Sequence, residues 1–213
     1  MYNFIYDFYG YNKSIFIYIN KLTNTSIIPK IFETISLFFS IEKFALYYLI
    51  ACLYFYFKLK RGSFTNQAFF PRFNKLVEAG TCYALFGFTY AIIKFSINMQ
   101  RPFCSLNSNE FTTIIDITKE RCLSSFPSAH TGLAILISYY LWPCLNQYQK
   151  IITCILALLV ATSRVTLAMH YPADILYSVF IVSIVIFLNN KLINSMQSKV
   201  INPIGKFIAR LIA

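Results

Sequence analysis

The stretch IITCILALLVATSRVTLAMHYPADILYSVFIVSIVIFLNN, Ile151 to Asn190, holds two apolar runs with a polar turn between them. The first run extends from Ile151 to about Met169 and is interrupted only by Arg164; the second extends from Ile175 to Asn190. A helix needs about 20 mostly apolar residues to cross a bilayer. Both runs approach that length, so the stretch reads as two membrane spans. Between them SRVTLAMHYPAD, Ser163 to Asp174, places Arg164, His170 and Asp174 close together. Ionisable groups at the edge of a span are costly, which makes them functional candidates.

Composition points the same way. The chain has 213 residues, 57% hydrophobic and 13% charged, with 22 Phe and 16 Tyr. A soluble domain carries about 25% charged residues. The expectation is an integral membrane protein with one domain over residues 1–213. The balance is basic, 19 Lys and Arg against 8 Asp and Glu. In a soluble chain that would raise nucleic acid as a partner. Here basic residues holding cytoplasmic loops at the membrane explain it better, so no nucleic-acid partner is expected. The start, MYNFIYDFYG, lacks the positive region of a cleavable signal peptide, so no cleaved leader is expected.

Three further spans are read from hydropathy: Phe44 to Phe57, about Ala79 to Lys94, and Thr131 to Gln149. The short link NQYQK then requires an antiparallel hairpin. The expected fold is an all-α polytopic transmembrane helix bundle with five spans. The segment before Phe44, KIFETISLFFS, is apolar but punctuated by charge. Residues 1–40 are therefore either an interfacial segment or an extra, sixth span. The tail, residues 200–213, is amphipathic: Ile204, Phe207, Ile208, Leu211 and Ile212 share a face opposite Lys206 and Arg210. That is the pattern of a helix lying on a membrane surface.

Orientation follows from Lys and Arg in short loops. Lys58, Lys60, Arg61, Arg72 and Lys75 lie between the first two spans, and Lys191, Lys199, Lys206 and Arg210 follow the fifth. Both regions belong on the cytoplasmic side. The loop from Arg101 to Phe126 and the turn around His170 then lie outside. Lys13, Lys21, Lys30 and Lys43 run against this rule if there are five spans.

The polar residues sort onto that outer face. Lys94 and Arg101 are two helical turns apart and are expected to share a helix face. Ser128 follows Pro127 and precedes an apolar run, a natural N-cap that leaves first-turn N–H groups to hold an anion. Pro172 suits a first helical turn. Asp174 would then lie in that turn, within reach of the His170 ring. Taken singly, each has a plainer explanation: a snorkelling lysine, a cap, a structural histidine. The chain has only two histidines, His130 and His170, and both fall beside Lys94, Arg101 and Arg164.

The chemistry this suggests is phosphoryl transfer. Cations and a helix N-terminus match negative charge spread over phosphoryl oxygens. One histidine can attack phosphorus while a carboxylate holds its other nitrogen; the second can protonate the leaving oxygen. No cluster of Asp, Glu or Cys suggests a metal site, so no metal or other cofactor is expected. Of six cysteines, only Cys104 and Cys122 fall in the outer loop. They are read as a disulfide pair or as incidental free thiols.

The chain resembles the type 2 phosphatidic acid phosphatase superfamily, membrane lipid phosphatases related to vanadium haloperoxidases. That family carries Lys-x6-Arg-Pro, Pro-Ser-Gly-His and Ser-Arg-x5-His-x3-Asp. This chain has Lys94 through Arg101-Pro102, Pro127-Ser128-Ala129-His130, and Ser163-Arg164 through His170 to Asp174, in the same order and spacing. Ala129 stands where the family has Gly, keeping the backbone N–H but adding a methyl group to the phosphate pocket. The resemblance implies that His170 is the nucleophile, that Asp174 orients it, and that His130 is the general acid and then the base. It implies that Lys94, Arg101, Ser128, Ala129 and Arg164 hold the phosphate.

The expected activity is hydrolysis of a phosphate monoester or diphosphate on a membrane lipid at the outer leaflet. Candidates are lipid A 1-phosphate, undecaprenyl diphosphate and phosphatidylglycerol phosphate, in a bacterial cytoplasmic membrane. A lipid-to-lipid phosphotransferase is the alternative. A non-enzymatic phospholipid-binding or transport protein would need the cations but not two histidines and Asp174.

Overall fold

Among residues 5–62, 66–112, 116 and 120–212, which the computed structural model describes, the regular elements are helices, with one isolated bridge between Gln100 and Leu123. They are α1 (Tyr11–Thr23), α2 (Ile28–Leu37), α3 (Ile41–Lys60), α4 (Asn66–Ile97), α5 (Ala129–Leu141), α6 (Gln147–Thr166), α7 (Pro172–Met196) and α8 (Asn202–Ile212). Shorter helical turns cover Phe8–Gly10, Pro102–Ser105, Trp142–Cys144 and Gln197–Ile201.

Three helical stretches among the described residues are long and apolar enough to cross a membrane alone: Phe69–Ile97, Gln147–Thr166 and Pro172–Leu211. Helices α2 and α3, separated by a bend at 38–40, pass the same test when taken together. The protein is thus an integral membrane helix bundle with three to four candidate spans. Of the five expected spans, the one at Thr131 to Gln149 is not among these candidates. There α5 ends at Leu141, after 13 residues, and a 3-10 turn carries Pro143. Proline has no N–H to continue the ladder, and just beyond it Asn146 already caps the next helix. At 1.5 Å per residue α5 rises only about 20 Å, short of a hydrocarbon core about 30 Å thick.

The described residues fall into two compact units. The one formed by Glu42–Phe88 and Ser183–Ala213 is built on aromatic packing. Phe69, Phe73, Ile193 and Ile201 are buried together, with Phe55, Leu59 and Ile208 packed against them. Gly80 on α4 lies directly under the Tyr48 ring, where any Cβ would collide with it, and the Tyr48 hydroxyl donates to the Leu76 carbonyl at 3.1 Å. The amphipathic face expected of the tail is divided. Ile208 joins this core, whereas Ile204, Phe207 and Leu211 remain exposed.

The other unit comprises Met1–Ile41 and Thr89–Val182. Here α5 and α6 form the expected antiparallel hairpin. Its turn is closed by a capping box in which the Asn146 side chain accepts from Gln149 N, and the Gln149 side chain accepts from Asn146 N, both at 2.9 Å. Helices α1 and α2 both pack against α6. Phe16 of α1 is buried with Val165 and Ala168. Asn20 donates to the carbonyls of Thr166 and Thr112, and accepts from Thr112 N. Lys13 pairs with Glu110 at 2.7 Å. The N-terminal segment therefore packs against the loop that follows Arg101 and against the last turn of α6.

Candidate active site

The residues singled out from sequence come together in this second unit, each delivered by a helix end. Lys94 lies in the last turn of α4, which stops at Ile97 because Asn98 adopts left-handed backbone, φ 51°. The Asn98 N–H closes onto the Lys94 carbonyl at 3.1 Å, a C-terminal cap of the kind Asn tolerates. This corrects one expectation: Arg101 does not share a helix face with Lys94. It lies beyond the helix, extended at φ −74° and ψ 155°. It is held by a short antiparallel contact with residues 122–125. Arg101 N donates to Cys122 O at 2.8 Å and Ser125 N to Met99 O at 2.9 Å, flanking the Gln100–Leu123 bridge.

Cys104 and Cys122 are joined in a disulfide with Cα atoms 5.6 Å apart. It closes a loop whose ends are the two sides of that contact. Breaking it with Cys104→Ser is expected to destabilise the protein by about 3 kcal/mol in the chain-entropy account. The midpoint of thermal unfolding in detergent measures this, with mapping of non-reduced peptides from the wild type as the control.

Ser128 occupies the N-cap position of α5, as expected, but its side chain makes no capping bond to the backbone. Its hydroxyl instead pairs with that of Thr131 at 3.0 Å. Its carbonyl accepts from Ser178 Oγ at 2.7 Å, and its N–H donates to the Asp174 carbonyl at 3.3 Å. These bonds tie the start of α5, and with it Ala129 and His130, to the first two turns of α7.

Arg164 sits in the last turn of α6, almost wholly buried. One terminal nitrogen donates to Ser36 Oγ at 2.7 Å, while its Nε has no hydrogen-bond partner among the described residues. The helix then ends in a tight cap. Ala168 is left-handed, φ 55°; its N–H returns to Val165 O and that of Met169 to Arg164 O. This is the Schellman pattern, with Ala where Gly is usual. It turns the chain so that His170, whose N–H also returns to Arg164 O at 3.1 Å, lies buried beside the arginine's helix end. Pro172 opens α7, and Asp174 falls in its first turn.

Asp174 is fully buried and His170 nearly so, with Nδ1 of the ring 3.4 Å from Asp174 Oδ2. That is an ion-pair distance, longer than a hydrogen bond. The carboxylate's hydrogen bonds come from elsewhere. The Tyr6 hydroxyl donates to Oδ1 at 2.6 Å; Ser125 Oγ and Tyr171 N donate to Oδ2 at 2.6 and 2.9 Å. Tyr6, Ser125 and Ser36 were not visible to sequence reasoning. Ser125 lies near a motif, but nothing local distinguishes Tyr6 or Ser36 from other polar residues of the N-terminal segment.

The three cations act on both rings. Burial first, then the charges of Lys94, Arg164 and Arg101, hold the His170 imidazole well below its ordinary range, so it is neutral at pH 7. The Ser125 carbonyl also faces this ring. His130 lies within electrostatic range of Arg164, His170, Arg101 and Lys94. Like Arg164 on Ser36, the other two cations are already engaged: Lys94 donates to Ser124 O at 2.6 Å, and Arg101 pairs with Glu120 at 2.6 Å and reaches Met169 Sδ at 3.1 Å. Arg101 Nε, like Arg164 Nε, is buried without a partner among the described residues. Among the described residues no group of three or more His, Cys, Asp or Glu side chains forms a metal-ligand cluster. Chemically, the arrangement offers a neutral imidazole, a second imidazole, a buried carboxylate and concentrated positive charge with unused donors.

A family model described as the PAP2 superfamily matches residues 75–195, more than half of the 213-residue chain. The crystal structure of LpxE from Aquifex aeolicus is similar with a TM-score of 0.63 at 20% identity, over 84% of this chain and 93% of that one. A crystal structure of a transmembrane PAP2-type phosphatidylglycerolphosphate phosphatase from Bacillus subtilis is similar with a TM-score of 0.62 at 19% identity, over 89% and 88% of the two chains. At these identities the two structures speak to fold alone. No curated protein matches the chain significantly in sequence.

Proposed function

Since the chain belongs to the PAP2 superfamily, and is a metal-independent lipid phosphate phosphatase of that family, we propose that it hydrolyses a lipid phosphate through a phosphohistidine formed on His170. The observation that carries this is the convergence of His130, His170 and Asp174 with Lys94, Arg101 and Arg164 in one unit.

In the first step a lone pair on His170 Nε2 attacks phosphorus and the ester P–O bond breaks. The leaving lipid oxygen takes a proton from His130, which enters the step as imidazolium, its charge balanced by the bound phosphate anion. Nδ1 keeps its proton, and Asp174 balances the positive charge that develops on the ring. Lys94, Arg101 and Arg164, with Ser128 and the Ala129 N–H, hold the phosphoryl oxygens as charge shifts during transfer. In the second step His130, now neutral, removes a proton from water; the oxygen attacks phosphorus and His170 leaves. Protein cations supply the electrostatic stabilisation that a metal supplies elsewhere.

The substrate class is a phosphate monoester or diphosphate on a membrane lipid: lipid A 1-phosphate, undecaprenyl diphosphate or phosphatidylglycerol phosphate. The phosphatidylglycerolphosphate phosphatase of the same fold from Bacillus subtilis is consistent with the last of these. Mass spectrometry of envelope lipids with and without the gene tests it. Accumulation of one phosphorylated lipid in the deletion strain names the substrate, and an unchanged lipid profile counts against the proposal.

Purified protein is expected to release phosphate undiminished in EDTA and to be inhibited by vanadate, which adopts the five-coordinate shape of the transition state. Activity lost in EDTA and restored by magnesium would contradict the mechanism.

The topology proposed is five spans, with α5 crossing despite its length, in a bacterial cytoplasmic membrane with the site facing outward. In a background lacking the four free cysteines, a cysteine in place of the exposed Asn109 is expected to react with an impermeant maleimide in intact cells. One in place of Arg61 is expected to stay unlabelled. The reverse pattern places the site on the cytoplasmic leaflet.

A further inference from the structure

The N-terminal segment contains none of the three motifs, yet it reaches the centre of the site. Gly10, at φ 90°, takes a left-handed conformation that glycine adopts without strain, and its N–H closes onto the Asp7 carbonyl at 3.0 Å. This turn starts α1 and sends residues 5 and 6 back along α7. Three contacts fix them there. Tyr177 donates to the Ile5 carbonyl at 2.6 Å. The Tyr6 ring meets Phe126 edge-on at 5.9 Å. Asn12 Oδ1 accepts from Ala173 N at 2.9 Å, one residue before Asp174.

We propose that Tyr6 and Ser125 are positioning residues that set the Asp174 carboxylate against His170. The proposal rests on the phosphohistidine reading above. A carboxylate has two oxygens and can rotate about its Cβ–Cγ bond. Tyr6 holds Oδ1 at 2.6 Å; Ser125 and Tyr171 N hold Oδ2 at 2.6 and 2.9 Å. With both oxygens held, rotation is blocked, and Oδ2 is the oxygen left facing His170 Nδ1, at 3.4 Å. The two hydroxyl bonds are charge-assisted and buried, the class in which a single hydrogen bond matters most. Both hydroxyls are spent on Asp174. Their effect passes through Asp174 to the ring that forms the N–P bond, where the carboxylate balances the positive charge on the phosphorylated imidazole.

Full-length Tyr6→Phe and Ser125→Ala, purified in detergent, test this. Tyr6→Phe keeps the ring on Phe126 and removes only the donor. For each variant kcat is expected to fall about 10- to 100-fold, the loss of one charge-assisted hydrogen bond at the reacting group, with KM within about threefold of wild type. In an Asp174→Asn background either substitution is expected to change kcat by less than about twofold, because the group through which it acts is already altered. Wild-type kcat in both single variants overturns the proposal. So does an equal loss with and without Asp174→Asn, which is the signature of a general effect on the fold. If Tyr6→Phe does not fold, the Ser125→Ala cycle decides alone. His170→Gln separates the two levels. An active His170→Gln enzyme overturns the phosphohistidine reading itself. An inactive one beside unaffected Tyr6→Phe and Ser125→Ala enzymes overturns only the positioning role.

Discussion

His170→Gln is expected to lower kcat by at least about 10⁴-fold while leaving a folded protein, because it removes the only group proposed to attack phosphorus. Glutamine fills a similar volume and keeps a polar atom near Asp174, but it has no nucleophilic lone pair. The fold should tolerate the change because the native ring is already neutral at pH 7. Burial and the neighbouring cations hold His170 well below its ordinary range, so no buried charge is lost.

The same shift has a consequence for stability. A folded-state value lying below the unfolded one, about 6.5, means that the unfolded chain takes up its proton first as pH falls. The contribution of His170 to stability is therefore full above that pH and is lost progressively beneath it. His170→Gln lacks this site, so its thermal midpoint should fall less than that of wild type between pH 7 and pH 5. Phosphate release and thermal melts on the purified variant check both statements. Near-normal hydrolysis would remove His170 from the nucleophile's role.

The second large effect is expected at His130, and it depends on the substrate. With a lipid alkoxide as leaving group, His130→Ala should cost about 10² to 10⁴ in kcat, the usual worth of a positioned general acid. With p-nitrophenyl phosphate the leaving phenolate needs no proton, so the first step should recover most of that loss. The second step still lacks a base for water. Phosphoenzyme should therefore accumulate, acid-labile and alkali-stable as expected for phosphohistidine, and be absent from His170→Gln. Equal losses on both substrates without phosphoenzyme would show that His130 acts otherwise, for example by holding phosphate.

These two expectations rest on residues legible in one dimension. Lys94 with Arg101, Ser128 with His130, and Arg164 with His170 and Asp174 lie within short segments whose spacing carries the chemistry. Two helix starts were legible by position, although Ser128 makes no side-chain capping bond. Pro172 opens α7, and Ser128 stands at the N-cap position of α5. The end of α4 was not. Asn98 enters left-handed backbone and breaks the register that would have put Lys94 and Arg101 on one face. An asparagine tolerates that conformation but does not demand it. Ala168 is a sharper case, since nothing about alanine announces a left-handed cap, and only its surroundings hold it there.

Solvent and reactive groups are both written in the linear chain. Charge content and apolar run length select a bilayer because transfer of a helix is a sum over consecutive residues, which the linear chain already sets. The three motifs supply nucleophile, acid and cations because each is local. Which otherwise ordinary polar side chains serve them is a matter of packing in three dimensions. Tyr6 and Asp174 are 168 residues apart, Ser36 and Arg164 are 128 apart, and Ser125 and Asp174 are 49 apart. A hydrogen bond is specified by distance and direction between two atoms, and those exist only once α1, α2 and the turns before α5 and α7 have packed against one another. A buried carboxylate needs donors, but its own neighbourhood in the chain does not say which ones the fold will bring.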